Sequence, residues 1–138
     1  MSWINWILFF SLLVPYVPQT GQGADKYKWD CGAASASMMI EHYTGLHLDP
    51  DELMSQFGPD GYLTAGEVRW LLERYGLETK WGRESPRIIL IGGNHWVVYL
   101  GDCTYHDPLV GPCQIGCYNT AGIYIDNVKN ELIGHLEE

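Results

Sequence analysis

The chain has 138 residues, a formal net charge of -9 and an apolar fraction of 46%. That length accommodates one ordinary domain, and six Trp, nine Tyr and three Phe supply bulky side chains for its core, so global disorder is excluded. The eight basic residues are scattered and form no basic run. Because phosphate contacts need clustered Lys and Arg, we expect no nucleic-acid partner.

The first 13 residues, MSWINWILFFSLL, are strongly apolar. The stretch is short for a membrane span, and it resembles the core of a signal peptide without the preceding basic residues or a following small-x-small cleavage site. The alternative is an apolar element packed on the domain. We therefore divide the chain into an N-terminal segment, residues 1–13, and a single domain, residues 14–138. Secretion, membrane association through residues 1–13 and a cytoplasmic location all stay open.

Helix signals occupy the first half of the domain, after an extended segment and a polar loop. Each predicted helix has a recognisable start or stop. The predicted helices are one from Cys31 to about Tyr43 that ends at Gly45, one with Asp49 as N-cap and Pro50 in its first turn, and one with a capping box at Thr64 and Glu67 that ends at Gly76.

Strand signals occupy the second half. The predicted strands are Arg87–Ile91, Asn94–Leu100, Thr104–His106 and Gly122–Ile125, with a hairpin turn at Gly101-Asp102. Asp126 is a candidate cap for a final short helix that carries Val128, Leu132 and Leu136. Helices followed by an antiparallel sheet predict an α+β fold.

One cysteine stands where a helix begins, in the segment Trp29-Asp30-Cys31-Gly32. The N–H groups and partial positive charge of a helix N-terminus lower the pKa of a thiol, so Cys31 is a candidate nucleophile. Gly32 would leave room for a substrate beside the backbone. The alternative is a structural cysteine buried at the start of a core helix.

A nucleophilic thiol needs a base, and the base needs a group that orients it. His95 lies at the start of the most convincing strand, after Gly92 and Gly93, and is the candidate base. A hairpin turn between the strands brings position 107 close to position 95, so Asp107 is the candidate orienting residue. His106 and Asp107 point to opposite faces, and only one of them can face His95. The backbone N–H of Cys31 and the side-chain amide of Gln19 are candidate donors to an oxyanion.

The motifs VPYVPQ, WDCGAASASMMIEHYTG, NHWVVYLG and YHDPLVG together resemble the papain-like peptidases related to the bacteriocin-processing, or double-glycine leader, cysteine peptidases. The resemblance covers Val14 to about Gly111 and is closer to stand-alone members without a transporter. It implies a papain-like fold, a Cys31–His95–Asp107 triad and Gln19 in the oxyanion hole. It also implies a peptide or protein substrate and no cofactor or metal.

The remaining cysteines, Cys103, Cys113 and Cys117, allow several interpretations. A disulfide of Cys103 with either Cys113 or Cys117 is possible. A zinc site that adds His106 is an alternative, but the spacing lacks the paired short knuckles of strong zinc motifs. Free thiols are the third possibility.

Three functions follow from these residues. The first is a cysteine peptidase that hydrolyses peptide bonds. The second is another thiol acyl-transfer enzyme on the same fold, such as an amidase, a transglutaminase-like enzyme or a deamidase. The third is a peptide-binding module that keeps the fold without catalysis. The oligomeric state stays open.

Overall fold

In the computed structural model the described residues, 14–19, 30–57 and 62–129, form three helices and a six-stranded sheet. The helices are α1 (Cys31–Thr44), α2 (Pro50–Met54) and α3 (Ala65–Arg74). The strands are β1 (Leu77–Gly82), β2 (Arg87–Ile91), β3 (His95–Gly101), β4 (Thr104–Asp107), β5 (Gly111–Ile115) and β6 (Gly122–Val128). The predicted α+β class is confirmed, whereas the predictions for residues 1–13, Leu132 and Leu136 lie outside the described residues.

The helix ends confirm the capping predictions. Gly45 ends α1 in the left-handed region, with a φ of 77° that an L side chain rarely adopts. The Asp49 side chain accepts the N–H of Asp51 at 2.9 Å and so caps α2. Thr64 and Glu67 exchange both hydrogen bonds of a capping box at the start of α3.

The sheet has the order β1-β6-β2-β3-β4-β5, and every neighbouring pair is antiparallel. Helix α1 packs against β3, and every residue of the helix from Cys31 to Ile40 is buried. A smaller cluster of Ile89, Val97 and Tyr99 covers the opposite face of the sheet. Because both faces are covered, β3 is buried without interruption from residue 96 to residue 100.

Two strands were not predicted from the sequence. Leu77–Gly82 forms β1, whose sequence LETKWG has three consecutive polar residues and so lacks the strict period-2 alternation that would have identified it. Gly111–Ile115 forms β5, which is an edge strand. Pro112 lies within β5, and a proline is tolerated there because the outer side of an edge strand needs no hydrogen-bond donor.

Two other predictions were wrong, one in the position of a turn and one in the type of element. The hairpin between β3 and β4 turns at Asp102 and Cys103, with φ of 51° and 60°, so the predicted turn was one residue early. Gly101 instead pairs with Thr104 in the ladder. Asp126 and the residues around it belong to β6 and do not begin a helix, because antiparallel pairing with β1 continues as far as Val128.

Candidate active site

Cys31 is the first residue of α1, and its thiol lies against the backbone on both sides of His95. The N–H of Trp96 donates to the Cys31 sulfur at 3.4 Å. The carbonyl oxygen of Asn94 lies 4.0 Å from the same sulfur and accepts from the thiol. The first turn of α1 therefore contacts the start of β3. His95 is the residue that lies in the chain between the two residues whose backbone contacts the thiol.

The His95 and Asp107 side chains are joined directly across β3 and β4. The distance from His95 Nε2 to Asp107 Oδ1 is 2.7 Å, and Asp107 is buried. An ionised carboxylate only accepts hydrogen bonds, so Nε2 carries the hydrogen and Nδ1 is the basic nitrogen of the neutral ring. The same Oδ1 accepts the N–H groups of Leu109, at 2.9 Å, and Val110, at 3.3 Å. Three hydrogen-bond donors to one oxygen fix the position of the carboxylate. The prediction that positions 95 and 107 lie close together is confirmed.

The state of the Cys31 thiol differs from the sequence-based expectation. Cys31 is only 3% exposed, and this burial raises the pKa of its thiol because it disfavours the charged form. The N–H groups of Trp96, Gly32 and Cys31 lower the pKa, and the charge of Asp30 raises it further. The expected lowering by the helix N-terminus was wrong, because desolvation outweighs it. Burial of Cys31 therefore opposes the formation of its thiolate.

The absence of a side chain at Gly32 leaves the space into which Trp96 packs. A Cβ on Gly32 would lie 3.0 Å from Trp96 Cδ1 and 3.2 Å from Leu63 Cβ, which is closer than ordinary van der Waals contact. The indole of Trp96 is in turn fixed by a 2.9 Å hydrogen bond from its Nε1 to the Leu63 carbonyl. The expectation that Gly32 leaves room for a substrate was therefore wrong, since the space beside it is filled.

Gln19 lies at the same end of the sheet as the carboxylate. Its backbone N–H donates to the carbonyl of Pro108 at 2.9 Å, one residue beyond Asp107. Its side-chain Oε1 is buried. The structure therefore brings the segment that contains Gln19 to the end of β4. The predicted role of the Gln19 side-chain amide in an oxyanion hole stays a prediction.

A cleft of about 510 Å³ lies next to the start of β3, and the sequence analysis did not predict it. Its lining includes half-exposed Trp81 together with Asn94 and Trp96, whose backbone atoms contact the Cys31 sulfur, but it does not include Cys31 or His95. Buried Arg87 holds the neighbouring loop by donating from Nε to the carbonyl of Thr120 at 2.9 Å. None of the residues that line the cleft is charged: Tyr62, Leu63, Thr64, Ala65, Trp81, Leu90, Gly93, Asn94, Trp96, Thr120 and Ala121.

The other cysteines resolve into one disulfide and one thiol. Cys103 is bonded to Cys117, while Cys113 is free and exposed. The disulfide takes two of the four ligands from the zinc alternative, which is therefore dropped. In the part of the chain that the structure describes, no group of three or more His, Cys, Asp or Glu side chains could hold a metal ion.

No protein-family model, curated protein or solved structure matches this chain. Within residues 14–19, 30–57 and 62–129, no helix is long and apolar enough to cross a membrane. A functional assignment therefore has to come from the geometry of this chain's own residues.

Proposed function

We propose that the chain is a papain-like cysteine hydrolase that cleaves peptide bonds. One observation carries the proposal: the Cys31 sulfur contacts the backbone on both sides of His95, whose Nε2 is bound to Asp107 at 2.7 Å. Covalent acyl transfer requires a nucleophile, a base and an acceptor that fixes the base, and the proposal assigns these three parts to Cys31, His95 and Asp107.

In the first half of the reaction, Cys31 attacks the carbonyl carbon of the substrate. Because burial raises the pKa of the thiol, the proton leaves for His95 Nδ1 as the sulfur–carbon bond forms. Asp107 accepts from Nε2 and stabilises the imidazolium. The carbonyl oxygen becomes an oxyanion, for which the Cys31 N–H and the Gln19 amide are the proposed donors.

In the second half, the carbon–nitrogen bond breaks and the leaving amine takes the proton from His95. A thioester between the substrate acyl group and Cys31 remains. Water then gives a proton to His95 Nδ1, attacks the thioester and releases the carboxylic acid, and the thiol recovers its proton. The cycle consumes one water and needs no other reactant.

The cleft lined by Asn94 and Trp96 favours a peptide with uncharged side chains near the scissile bond. Its lining has no charged side chain, although the chain as a whole has a net charge of -9. Trp81 and Tyr62 offer aromatic surface that is 53% and 40% exposed. A charged substrate side chain would lose its hydration in such a cleft without gaining a partner.

A second candidate, a peptide-binding module without catalysis, is favoured by one observation. The Cys31 thiol is 3% exposed, as expected for a cysteine that only packs in a core. Such a module would use the same cleft, and substitution of Cys31 would leave binding unchanged.

The test is digestion of a peptide library in water enriched in oxygen-18, followed by mass spectrometry. The parent chain is compared with Cys31→Ala and His95→Ala, and Cys113→Ala is the matched control because Cys113 is the other free thiol. We expect cleavage by the parent and by Cys113→Ala, with one oxygen-18 in each new carboxyl group, and none by the other two.

Cleavage that survives Cys31→Ala would contradict the proposal. Bound but uncleaved peptides would favour the binding module. Products without a new carboxyl group would indicate acyl transfer to an acceptor other than water.

A further inference from the structure

The segment Val14–Gln19 is anchored to the end of β4 by three hydrogen bonds to consecutive residues. The bonds run from His106 Nε2 to the Val14 carbonyl at 2.7 Å, from the Tyr16 hydroxyl to the Asp107 carbonyl at 2.8 Å, and from the Gln19 N–H to the Pro108 carbonyl at 2.9 Å. We call these three bonds the β4 anchor.

His106 is the centre of the β4 anchor. It pairs with Val98 in the ladder, so its side chain leaves the sheet on the face opposite to that of Asp107. Its Nε2 donates to the Val14 carbonyl, and its Nδ1 accepts the N–H of Cys113 at 3.1 Å. This pair of bonds requires the neutral ring, and burial lowers the pKa of His106 in agreement. The Tyr16 ring packs edge-on against the imidazole at 5.6 Å.

No hydrogen bond of the β4 anchor goes to the carboxylate of the triad. The Tyr16 hydroxyl donates to the backbone carbonyl of Asp107, and burial and the nearby Asp107 charge raise the pKa of Tyr16. The Asp107 side chain itself accepts hydrogen bonds from His95, Leu109 and Val110. A change in Tyr16 or in the His106 side chain would therefore loosen the Val14–Gln19 segment, which the remaining anchor bonds and the buried Val14 and Val17 still hold, while the carboxylate keeps its three donors.

We propose that Tyr16 and His106 are positioning residues for Gln19. By fixing the Val14–Gln19 segment to β4, they hold the Gln19 amide where the oxyanion forms, and they do so without a hydrogen bond to a side chain of the Cys31–His95–Asp107 triad. The inference rests on the proposed function and adds to it two residues that do not touch the substrate.

The expected loss in the rate of acyl transfer follows from the dependence of this reaction on hydrogen-bond donors to the oxyanion. Loss of one donor slows this chemistry by about 100-fold to 1,000-fold. Tyr16→Phe removes one anchoring bond at nearly constant volume and leaves the amide in place but less well held. We expect it to slow acyl transfer by about 10-fold, and Gln19→Ala to slow it by about 100-fold.

The probe is p-nitrophenyl acetate, with Cys113→Ser as background so that Cys31 is the free thiol that reacts. The Cys31 sulfur bonds to the acetyl carbon and p-nitrophenolate leaves, and water then converts the thioester to acetate and the thiol. The release of p-nitrophenolate is measured for Tyr16→Phe, Gln19→Ala and the double variant. Alkylation of Cys31 by iodoacetamide is measured in parallel, because that reaction forms no oxyanion.

The proposal predicts that Tyr16→Phe slows acyl transfer only while Gln19 is present, so that the double variant equals Gln19→Ala. Alkylation of Cys31 should stay within about twofold of the background chain in all three variants, because the triad is intact. Equal slowing by Tyr16→Phe with and without Gln19, or parallel loss of alkylation, would overturn the positioning role.

A second pair of variants guards against simple misfolding. His106→Gln keeps an N–H that can reach the Val14 carbonyl, whereas His106→Leu has none. We expect His106→Gln to recover most of the acyl transfer that His106→Leu loses, and equal loss in both would overturn the proposal. A background chain that does not react with p-nitrophenyl acetate overturns the proposed function itself, which separates the two failures.

Discussion

Replacement of Asp107 by Asn should slow the reaction of Cys31 only slightly, because the backbone fixes the position of the side-chain oxygen that accepts from His95. Oδ1 of Asp107 accepts from His95 and also from the backbone N–H groups of Leu109 and Val110. In Asp107→Asn, these two N–H groups would repel an amide NH₂ and so orient the side-chain oxygen to the same place. His95 Nε2 then keeps an acceptor, and the ring keeps its tautomer.

The magnitude follows from the change in charge. A hydrogen bond to a charged group contributes about 1.5–3 kcal/mol, and a neutral one contributes about 1 kcal/mol. Asp107→Asn should therefore weaken the stabilisation of the His95 imidazolium by about 1 kcal/mol, which is on the order of a fivefold loss in rate. Asp107→Ala removes the acceptor altogether, so its loss should be on the order of 100-fold.

The assay is the second-order rate of Cys31 carbamidomethylation near neutral pH, followed by mass spectrometry of the peptides. Exposed Cys113 reacts in the same tube and corrects for reagent concentration. The order parent, Asp107→Asn, Asp107→Ala should hold for Cys31, and Cys113 should be indifferent. If Asp107→Asn loses as much rate as Asp107→Ala, the inference that the two backbone N–H groups orient the side chain is refuted.

Three further predictions concern stability. Gly32→Ala forces Trp96 to move, so it should lower the free energy of unfolding by about 1–3 kcal/mol in urea titrations, and an unchanged midpoint would contradict the packing role. Burial lowers the pKa of His106, so the unfolded chain binds protons more readily and stability should fall as the pH drops below about 6.5. Thermal melts of the parent and His106→Gln at several pH values test this, since the loss of stability in acid should be smaller in the variant. The Cys103–Cys117 disulfide closes a loop of sequence separation 14, so its reduction should lower the free energy of unfolding by about 3 kcal/mol. An unchanged melting temperature after reduction would contradict this stabilising role.

Local signals predicted the elements that carry the site. Asp49, Thr64 and Gly45 act within one helical turn of their own positions, so caps and stops can be read from neighbouring residues. The strand around His95 and the hairpin that follows were also recognisable from the local pattern. These features were enough to bring His95 and Asp107 together, because a short hairpin leaves few possible registers.

The rest depends on contacts between distant parts of the chain. The pKa of Cys31 is set by burial, and burial depends on how β3 packs against α1, which a helix N-terminus alone does not indicate. The β4 anchor joins residues 91 and 92 positions apart, Tyr16 to Asp107 and Val14 to His106. Chain spacing gives no sign of such pairs, and the sequence therefore offered His106 only as a candidate zinc ligand, whereas its Nε2 donates to the Val14 carbonyl.

The pH dependence of Cys31 alkylation, measured for the parent chain and His95→Ala, tests the central claim most directly. If His95 takes the thiol proton, Cys31 of the parent should react well below the usual thiol pKa of about 8.5, despite its burial. In His95→Ala its reaction should require a pH above about 8.5, because burial then raises the pKa of the thiol without a base to take its proton. Superimposable Cys31 profiles in the two proteins, both requiring a pH above about 8.5, would contradict the thiol–imidazole pair and leave a binding module.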